Sequence, residues 1–322
     1  MRIVFLILIS LTLYANNILT NYRINGITNV QKQMDFELTK DKYWSEYIKN
    51  IDTRFGYLES NLKILTCNKN KSTLNLYVKD STNSYILQKE YSAFTGEIKG
   101  DKTEEGDLIT PIGIYKILKT LTKENKLDSF YGPLAFVTSY PNTYDIYRGK
   151  NGHGIWIHGL PSKEKRDSFT KGCIAIDNQN IKALHNNIDI QNTILIIDSN
   201  EVKKNISKNI LSSILSELFI WRYAWLYDDI DGYLNFYSNE FVRHDGMTLE
   251  RFKKYKSRIF RKQEEKTIIF NNINVIPYPN SKNIYQITFK ESYKSDTFKF
   301  LGDKVLIVKI DKNNKIKIIT EK

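Results

Sequence analysis

The sequence predicts a mainly β unit followed by an α+β unit, and three observations support this fold class. Short β-prone runs separated by Asn, Lys, Ser and Gly fill residues 61–200. An apolar stripe with helical spacing begins near residue 210, and further strand patterns run from Lys266 to the end of the chain. The length of 322 residues suits two folded units, and 41% hydrophobic with 13% aromatic residues is typical of ordered globular proteins.

The first fifteen residues have the layout of a secretory signal peptide. Arg2 precedes the apolar run Ile3–Leu13, which is followed by Tyr14 and Ala15. We therefore expect cleavage after Ala15 and a periplasmic location. The apolar run is shorter than the roughly 20 residues that span a bilayer, so no stable membrane span is expected after cleavage.

Residues 16–60 are predicted to form an N-terminal helical segment. Apolar residues recur at spacings of three and four between Asp35 and Ile51, which predicts one amphipathic helix that packs on a neighbouring domain.

Residues 61–200 are predicted to form the β-rich unit. One short helix, near Asn178–Asn186, interrupts the strands. The predicted strands are Leu62–Cys67, Thr73–Val78, Ser84–Ser92, Gly113–Leu118, Leu134–Ser139, Gly154–Ile157, Cys173–Ile176 and Thr193–Ile197.

Residues 201–322 are predicted to form the α+β unit, after a polar, lysine-rich stretch at 201–209. Further helices are expected over Gly232–Phe241 and Thr248–Arg258, ahead of several strands. The first and longest helix is predicted from the apolar stripe Ile210, Ile214, Leu218, Trp221, Trp225 and Leu226.

The net charge of +12 favours anionic partners such as wall polymers. Lysine is spread along the whole chain without one long basic block, and an exported protein has little access to nucleic acid, so no nucleic-acid partner is expected.

Two cysteines, Cys67 and Cys173, are too few for a disulfide scaffold or a cysteine metal site. We predict that Cys67 is a core residue and that the protein needs no metal and no cofactor.

His158 and Cys173 are the residues with the clearest chemical potential. The histidine ends one predicted strand and the cysteine begins another. An imidazole can deprotonate a thiol and stabilise the thiolate, and Gly172 would leave room for a reacting carbonyl. The backbone N–H of Cys173 could then stabilise an oxyanion. Spacing alone leaves open that the two residues are unrelated.

Three ordered motifs add a family resemblance over about Leu62–Asp198, which resembles the L,D-transpeptidase (YkuD-type) catalytic domain. The resemblance implies a β-rich fold that acts on peptidoglycan stem peptides, with Cys173 as nucleophile, His158 as base and the Gly159 carbonyl orienting His158. The motifs are Thr110-Pro111-Ile112-Gly113-Ile114-Tyr115, Ile157-His158-Gly159 and Gly172-Cys173-Ile174.

Two positions depart from the family pattern. Ser-His-Gly-Cys is replaced by Thr170-Lys171-Gly172-Cys173, and the arginine usually found two residues after the cysteine is Ala175. Lys171 or Arg166 could instead hold a substrate carboxylate, although a solvated loop charge is an equal alternative. The predicted substrate-binding residues are Gly172, Lys171, Thr170, Arg166, Trp156 and His153.

The second unit resembles a nuclear-transport-factor-like (SnoaL-type) cone domain with a pocket under a curved sheet. The similarity lies in Trp221–Asp229, Tyr233–Phe241, Phe252-Lys253-Lys254 and the closing strands. The whole chain thus resembles the cell-shape-determining L,D-carboxypeptidases of curved and helical Gram-negative bacteria. The resemblance implies removal of D-alanine from tetrapeptide stems.

Two alternatives stay open: an L,D-transpeptidase that forms 3-3 cross-links, and a non-catalytic wall-binding or scaffold protein. The expected partners are peptidoglycan stem peptides, with a possible homodimer.

Overall fold

The computed structural model describes residues 2–60, 62–161, 169–202 and 205–322. Short 3₁₀ turns lie at Lys123–Asn125, Ser129–Tyr131 and Ile190–Asn192. The helices are α1 (Arg2–Glu37), α2 (Asp41–Tyr47), α3 (Thr143–Tyr147), α4 (Asn178–Asn187), α5 (Lys208–Leu226), α6 (Ile230–Leu234) and α7 (Leu249–Phe260). The strands are β1 (Tyr57–Leu58), β2 (Lys63–Asn68), β3 (Thr73–Lys79), β4 (Tyr85–Phe94), β5 (Gly113–Thr122), β6 (Leu134–Thr138), β7 (Trp156–His158), β8 (Ile174–Ile176), β9 (Thr193–Asp198), β10 (Lys266–Pro277), β11 (Ile284–Ser295), β12 (Lys299–Ile310) and β13 (Ile316–Glu321).

Eight strands close into a barrel in the order β2-β3-β4-β8-β7-β6-β5-β9. Most neighbours are antiparallel, whereas β2–β9 and β7–β8 are parallel pairs. Because successive side chains of a strand point to opposite faces, Leu, Ile, Tyr and Phe residues point inward, and the barrel has an apolar core that includes Cys67. α4 contributes Ile181 and Leu184 to that core. The β-rich architecture predicted for this part of the chain is confirmed.

The C-terminal half folds as helices against one curved antiparallel sheet, in the strand order β1-β10-β11-β12-β13. α5 is buried on most of its surface, because Trp221 and its neighbours pack under the sheet. β10 carries an irregularity between Asn271 and Asn274, which bends the sheet over the helices. This is the predicted α+β cone.

The prediction of one continuous helix over Asp35–Ile51 is wrong. α1 ends at Glu37, and the chain turns before α2 begins at Asp41. The turn lets the indole N–H of Trp44 donate to the Leu38 carbonyl at 2.7 Å, while the Trp44 ring packs against Phe219 of α5. Burial of a large aromatic ring outweighs continuation of the helix.

The N-terminal segment packs with the C-terminal sheet and helices. β1 pairs with β10, and α2 lies against α5. A buried ion pair joins Asp35 of α1 to Arg222 of α5 at 2.8 Å. The barrel is thus inserted between two parts of one structural layer.

The predicted helix over Gly232–Phe241 is correct only for its first turn. α6 ends at Leu234, because the following backbone pairs with β13 instead: the N–H of Ser238 donates to the Ile318 carbonyl at 2.9 Å.

An apolar layer joins the barrel to the C-terminal sheet. Ile64 and Ile196 of the barrel pack in the same cluster as Ile276, Ile307 and Ile319 of the sheet. The sheet is therefore apolar on both faces, with the helices on one side and the barrel on the other. Across the residues that the structure describes, no helix combines the length and apolarity needed to cross a bilayer.

Candidate active site

His158 and Cys173 lie on the same face of the barrel wall. β7 and β8 run parallel with His158 opposite Ala175, and Cys173 comes two residues before Ala175. Side chains two residues apart point to the same side of a sheet, and a diagonal neighbour on the next strand is within reach of a long side chain. The intervening Ile157 and Ile174 point into the barrel core. The register therefore brings the two predicted catalytic side chains together on the outer face.

The Gly159 carbonyl fixes the orientation of His158. Nδ1 of the imidazole lies 2.6 Å from the Gly159 oxygen, and the ring is buried. A carbonyl oxygen can only accept, so Nδ1 carries the proton and Nε2 keeps its lone pair in the neutral ring. This tautomer is the one that a general base requires.

Asn178 holds the segment that carries this carbonyl. Its side chain accepts a hydrogen bond from the Leu160 N–H at 2.7 Å and donates one to the Leu160 carbonyl at 2.9 Å. A Cβ at position 159 would lie 2.4 Å from Oδ1 of Asn178 and 2.7 Å from Pro133, so glycine is needed there. His158 is thus oriented by the Gly159–Leu160 backbone, which Asn178 of α4 holds in place.

Thr170 stabilises the turn before Cys173 through hydrogen bonds of its side chain. The buried Thr170 hydroxyl donates to the Cys173 carbonyl at 2.6 Å and accepts from the Gly172 N–H at 3.1 Å. Gly172 has φ +127°, in the region that favours glycine, and a Cβ there would lie 3.0 Å from the Ile109 carbonyl oxygen. The sulfur of Cys173, which is partly exposed, contacts the Gly154 carbonyl oxygen at 3.4 Å.

An aromatic wall, formed by Phe130, Tyr131 and Trp156, borders the two residues. The Tyr131 ring meets the imidazole of His158 edge-on at 5.1 Å between centroids and lies 4.8 Å from the Trp156 ring. Burial, and then the nearby charge of Cys173 as a thiolate, raise the pKa of Tyr131. Half-exposed Phe130 extends the wall toward solvent. Sequence reasoning missed Tyr131, which no motif marked.

Thr110, the first residue of the first motif, helps to hold the turn that carries Cys173. The Thr110 hydroxyl accepts a hydrogen bond from the Gly96 N–H at 2.7 Å, and the Thr110 carbonyl accepts one from Lys69 at 2.5 Å. Gly96 forms a bridge with Thr170, so this segment contacts the turn that carries Cys173. Burial lowers the pKa of Lys69 to about 8.

The other predicted substrate-binding residues differ in their positions. Lys171 is exposed beside Cys173, and Trp156 is partly buried in the aromatic wall. His153 points to solvent with its side chain 81% exposed, 3.6 Å from Glu105. Arg166 lies outside the described residues.

A concave feature lies in the C-terminal domain, where the resemblance implied a pocket. It is a cavity of about 530 Å³, lined by aromatic and charged side chains that include Trp225, Tyr255, Lys256, Glu291 and Lys304. Within the described ranges, His, Cys, Asp and Glu side chains form no group of three or more suited to a metal ion.

The barrel and its site define an L,D-transpeptidase catalytic domain, followed by a nuclear-transport-factor-like domain. The family model of the L,D-transpeptidase catalytic domain (YkuD) matches residues 63–197, and the model of the Cds6 C-terminal NTF2-like domain matches residues 213–322. Residues 63–197 therefore belong to the L,D-transpeptidase catalytic domain family.

Solved structures share this two-domain arrangement. The helical cell shape determining protein Pgp2 from Campylobacter jejuni is 36% identical with a TM-score of 0.79, and the match covers 88% of this chain and 99% of Pgp2. A point mutant of Pgp2 is 37% identical with a TM-score of 0.80, over 88% of this chain and 98% of that one. Bd1075 from Bdellovibrio bacteriovorus has the same fold at 24% identity and a TM-score of 0.65, over 85% of this chain and 96% of that one.

Among curated relatives, YafK of Escherichia coli K12 is classed by its name with the L,D-transpeptidases. It is 32% identical over 114 residues, which are 35% of this chain and 42% of YafK. The chain therefore spans less than half the length of that relative.

Proposed function

We propose that the protein is a cysteine-dependent peptidoglycan L,D-carboxypeptidase of the periplasm that trims tetrapeptide stems to tripeptides and thereby affects cell shape. The observation that supports this proposal best is the pairing of a partly exposed Cys173 with a His158 whose Nδ1 is tied to the Gly159 carbonyl. That arrangement supplies a nucleophile and a base of the correct tautomer on one face of the sheet.

The proposed reaction begins when Nε2 of His158 takes the thiol proton of Cys173. The thiolate attacks the carbonyl carbon at the L-centre of diaminopimelate, and the backbone N–H of Cys173 stabilises the oxyanion. The carbon–nitrogen bond to D-alanine then breaks, and the imidazolium of His158 gives its proton to the leaving amine. A thioester with Cys173 remains.

Water completes the proposed cycle. His158 deprotonates a water molecule, which attacks the thioester carbon and releases the tripeptide and the Cys173 thiol. The aromatic wall would border the bound stem, and Lys171 would attract its terminal carboxylate.

Ala175 favours water over a second stem as the acceptor. The family arginine expected at this position would offer a bidentate cation, whereas Ala175 is fully buried and offers no polar group. The likeness to a protein named for determining helical cell shape supports the proposed effect on cell shape.

Purified tetrapeptide muropeptides test the proposal. We expect wild type to yield tripeptide monomers, Cys173→Ala to yield none, and Cys67→Ala to retain activity, because Cys67 lies in the barrel core. Burial raises the pKa of the Cys67 thiol to about 12, which keeps it protonated and unreactive.

Two other outcomes would replace the proposal. Dimers with 3-3 links, absent with Cys173→Ala, would make the protein a transpeptidase. Unchanged muropeptides with wild type, together with binding to sacculi that survives Cys173→Ala, would favour the wall-binding scaffold.

A further inference from the structure

The C-terminal domain places one tyrosine against α3 and the start of β5. Tyr278 directly follows β10 and is 2% exposed. Its ring meets Tyr144 of α3 edge-on at 4.7 Å between centroids, and the Arg148 guanidinium lies over it at 5.5 Å. The ring of Tyr278 therefore contacts α3 and the residue that follows it.

The Tyr278 hydroxyl lies where α3 meets β5. It accepts a hydrogen bond from Nδ2 of Asn142 at 2.9 Å, and the same amide group donates to the Ile114 carbonyl at 3.0 Å. Asn142 also caps α3 by accepting from the Asp145 N–H at 2.8 Å. A Cβ at Gly113 would lie 2.6 Å from the hydroxyl oxygen. One hydroxyl thus contacts both the start of α3 and the Gly113 segment.

α3 is followed directly by the segment that reaches Cys173. The Lys150 N–H donates to the Asp145 carbonyl at 3.0 Å, and the Asn151 carbonyl accepts from the Tyr140 hydroxyl at 2.8 Å. The segment then continues to Gly154, whose carbonyl oxygen contacts the Cys173 sulfur. Displacement of α3 would therefore be transmitted to a group in contact with the nucleophile.

Charged groups reinforce this connection. Arg148 pairs with Asp101 at 3.1 Å and with Asp145 at 2.9 Å, and Lys150 lies 2.6 Å from Asp101. Asp101 in turn accepts from the Ile112 N–H at 2.8 Å. These buried or half-buried contacts tie α3 and the residues just after it to Asp101 and Ile112, which restricts their independent movement.

We propose that Tyr278 is a positioning residue for the catalytic centre, acting through Asn142 and α3 on the Gly154 carbonyl beside Cys173. This rests on the proposed function of Cys173. The C-terminal domain then contributes to the reaction without touching the substrate bond.

Tyr278→Phe tests the role because it removes only the hydroxyl and keeps the ring that fills the apolar interface. Tyr285→Phe is the matched control: Tyr285 is buried in the same sheet, on the face toward the helices. We expect Tyr278→Phe to lower kcat about tenfold to a hundredfold with KM changed less than about twofold, since small misplacements at a reacting centre have effects of that size.

The second readout is independent of peptidase activity. Iodoacetamide alkylation of Cys173, followed by peptide mass across a range of pH, reports the environment of the sulfur. We expect the midpoint of this profile to fall in Tyr278→Phe, because a weaker contact with the Gly154 carbonyl no longer favours the protonated thiol. Tyr285→Phe should match wild type in both readouts.

A Tyr278→Phe variant with the wild-type alkylation profile overturns the proposal, whether or not its melting temperature changes. If wild type hydrolyses no muropeptide but the alkylation midpoint still moves, the positioning role stands and the proposed carboxypeptidase function fails. Asn142→Ser, which keeps a hydroxyl acceptor for the α3 cap but lacks the amide group that donates to Tyr278, should shift the midpoint in the same direction and non-additively with Tyr278→Phe.

Discussion

The imidazole of His158 is oriented by a backbone carbonyl rather than by a carboxylate. A carbonyl brings no charge to the site, so its benefit is geometric: it selects the tautomer and the ring plane. Its position depends on the peptide between Gly159 and Leu160, which Asn178 holds by two hydrogen bonds.

Asn178→Ala should therefore impair catalysis more than folding. We expect kcat to fall about tenfold to a hundredfold, because His158 loses its fixed orientation, while muropeptide KM stays within about twofold of wild type. Steady-state kinetics on tetrapeptide substrate measure both. Asn187→Ala, at the other end of α4 and exposed, is the control and should retain wild-type kinetics. Equal kcat values in the two variants would contradict the positioning role of Asn178.

The role of the Tyr131 ring beside His158 can be tested by substitution. We expect Tyr131→Ala to lower kcat/KM by about tenfold or more, because the imidazole loses its edge contact and the aromatic wall loses its centre. Tyr131→Phe keeps the ring and should stay within about threefold of wild type if the ring alone matters. A loss in Tyr131→Phe as large as in Tyr131→Ala would instead assign the effect to the hydroxyl.

Sequence patterns located part of this site. The motifs around His158 and Cys173 predicted two residues that the register of β7 and β8 places on one face. Tyr131 and Asn178 escaped because each comes from a separate element, and a lone tyrosine or asparagine has no spacing pattern. Long-range packing, which the barrel alone creates, brings them to the histidine.

Among the elements, the strands were predicted best, because alternation of apolar and polar side chains is a local signal. α3 was missed: it has one turn, and its start depends on the capping box of Asn142 and Asp145. The breaks after Glu37 and Leu234 were missed for another reason. Each arises where a tertiary contact, the docking of Trp44 or pairing with β13, is more favourable than helix continuation.

α2 provides a test at the element scale. Trp44→Ala should lower the free energy of unfolding by about 3–5 kcal/mol, the usual cost of truncating a buried large aromatic residue, since Trp44 is only 5% exposed. Tyr47→Ala, in the same helix but 50% exposed, should cost less than about 1 kcal/mol. Urea denaturation monitored by circular dichroism measures both. Similar small losses would show that α2 is dispensable to the C-terminal core.

In the whole molecule, the chain starts in one layer, builds the barrel and returns to the same layer. β1 and β10 are neighbours although the entire barrel lies between them in sequence. Such non-local pairing cannot be inferred from local patterns, which explains why residues 16–60 were predicted only as a helical segment. The apolar layer between sheet and barrel packs the two domains directly against each other.

The C-terminal core contains a buried lysine with consequences for stability. Lys256 lies over the rings of Trp225 at 4.4 Å and Tyr233 at 5.1 Å. Burial, despite the nearby carboxylate of Glu321, lowers its pKa to about 8. In the unfolded chain the same group keeps its ordinary pKa, near 10.5.

The stability of the protein should therefore increase with pH above 8 through Lys256. Between pH 8 and about 10.5 the unfolded chain binds more protons at this group than the folded protein, so the free energy of unfolding rises with pH, by about 3 kcal/mol in total. Lys256→Met should lack this rise. Burial raises the pKa of tyrosines such as Tyr237, and these tyrosines oppose the rise near pH 10 in both proteins.

The measurement is accordingly the difference in unfolding free energy between wild type and Lys256→Met from pH 7 to 10. Lys253→Met, half-exposed on the same helix, should give a curve parallel to wild type. A curve for Lys256→Met that also runs parallel to wild type would show that Lys256 is not held in the low-dielectric core.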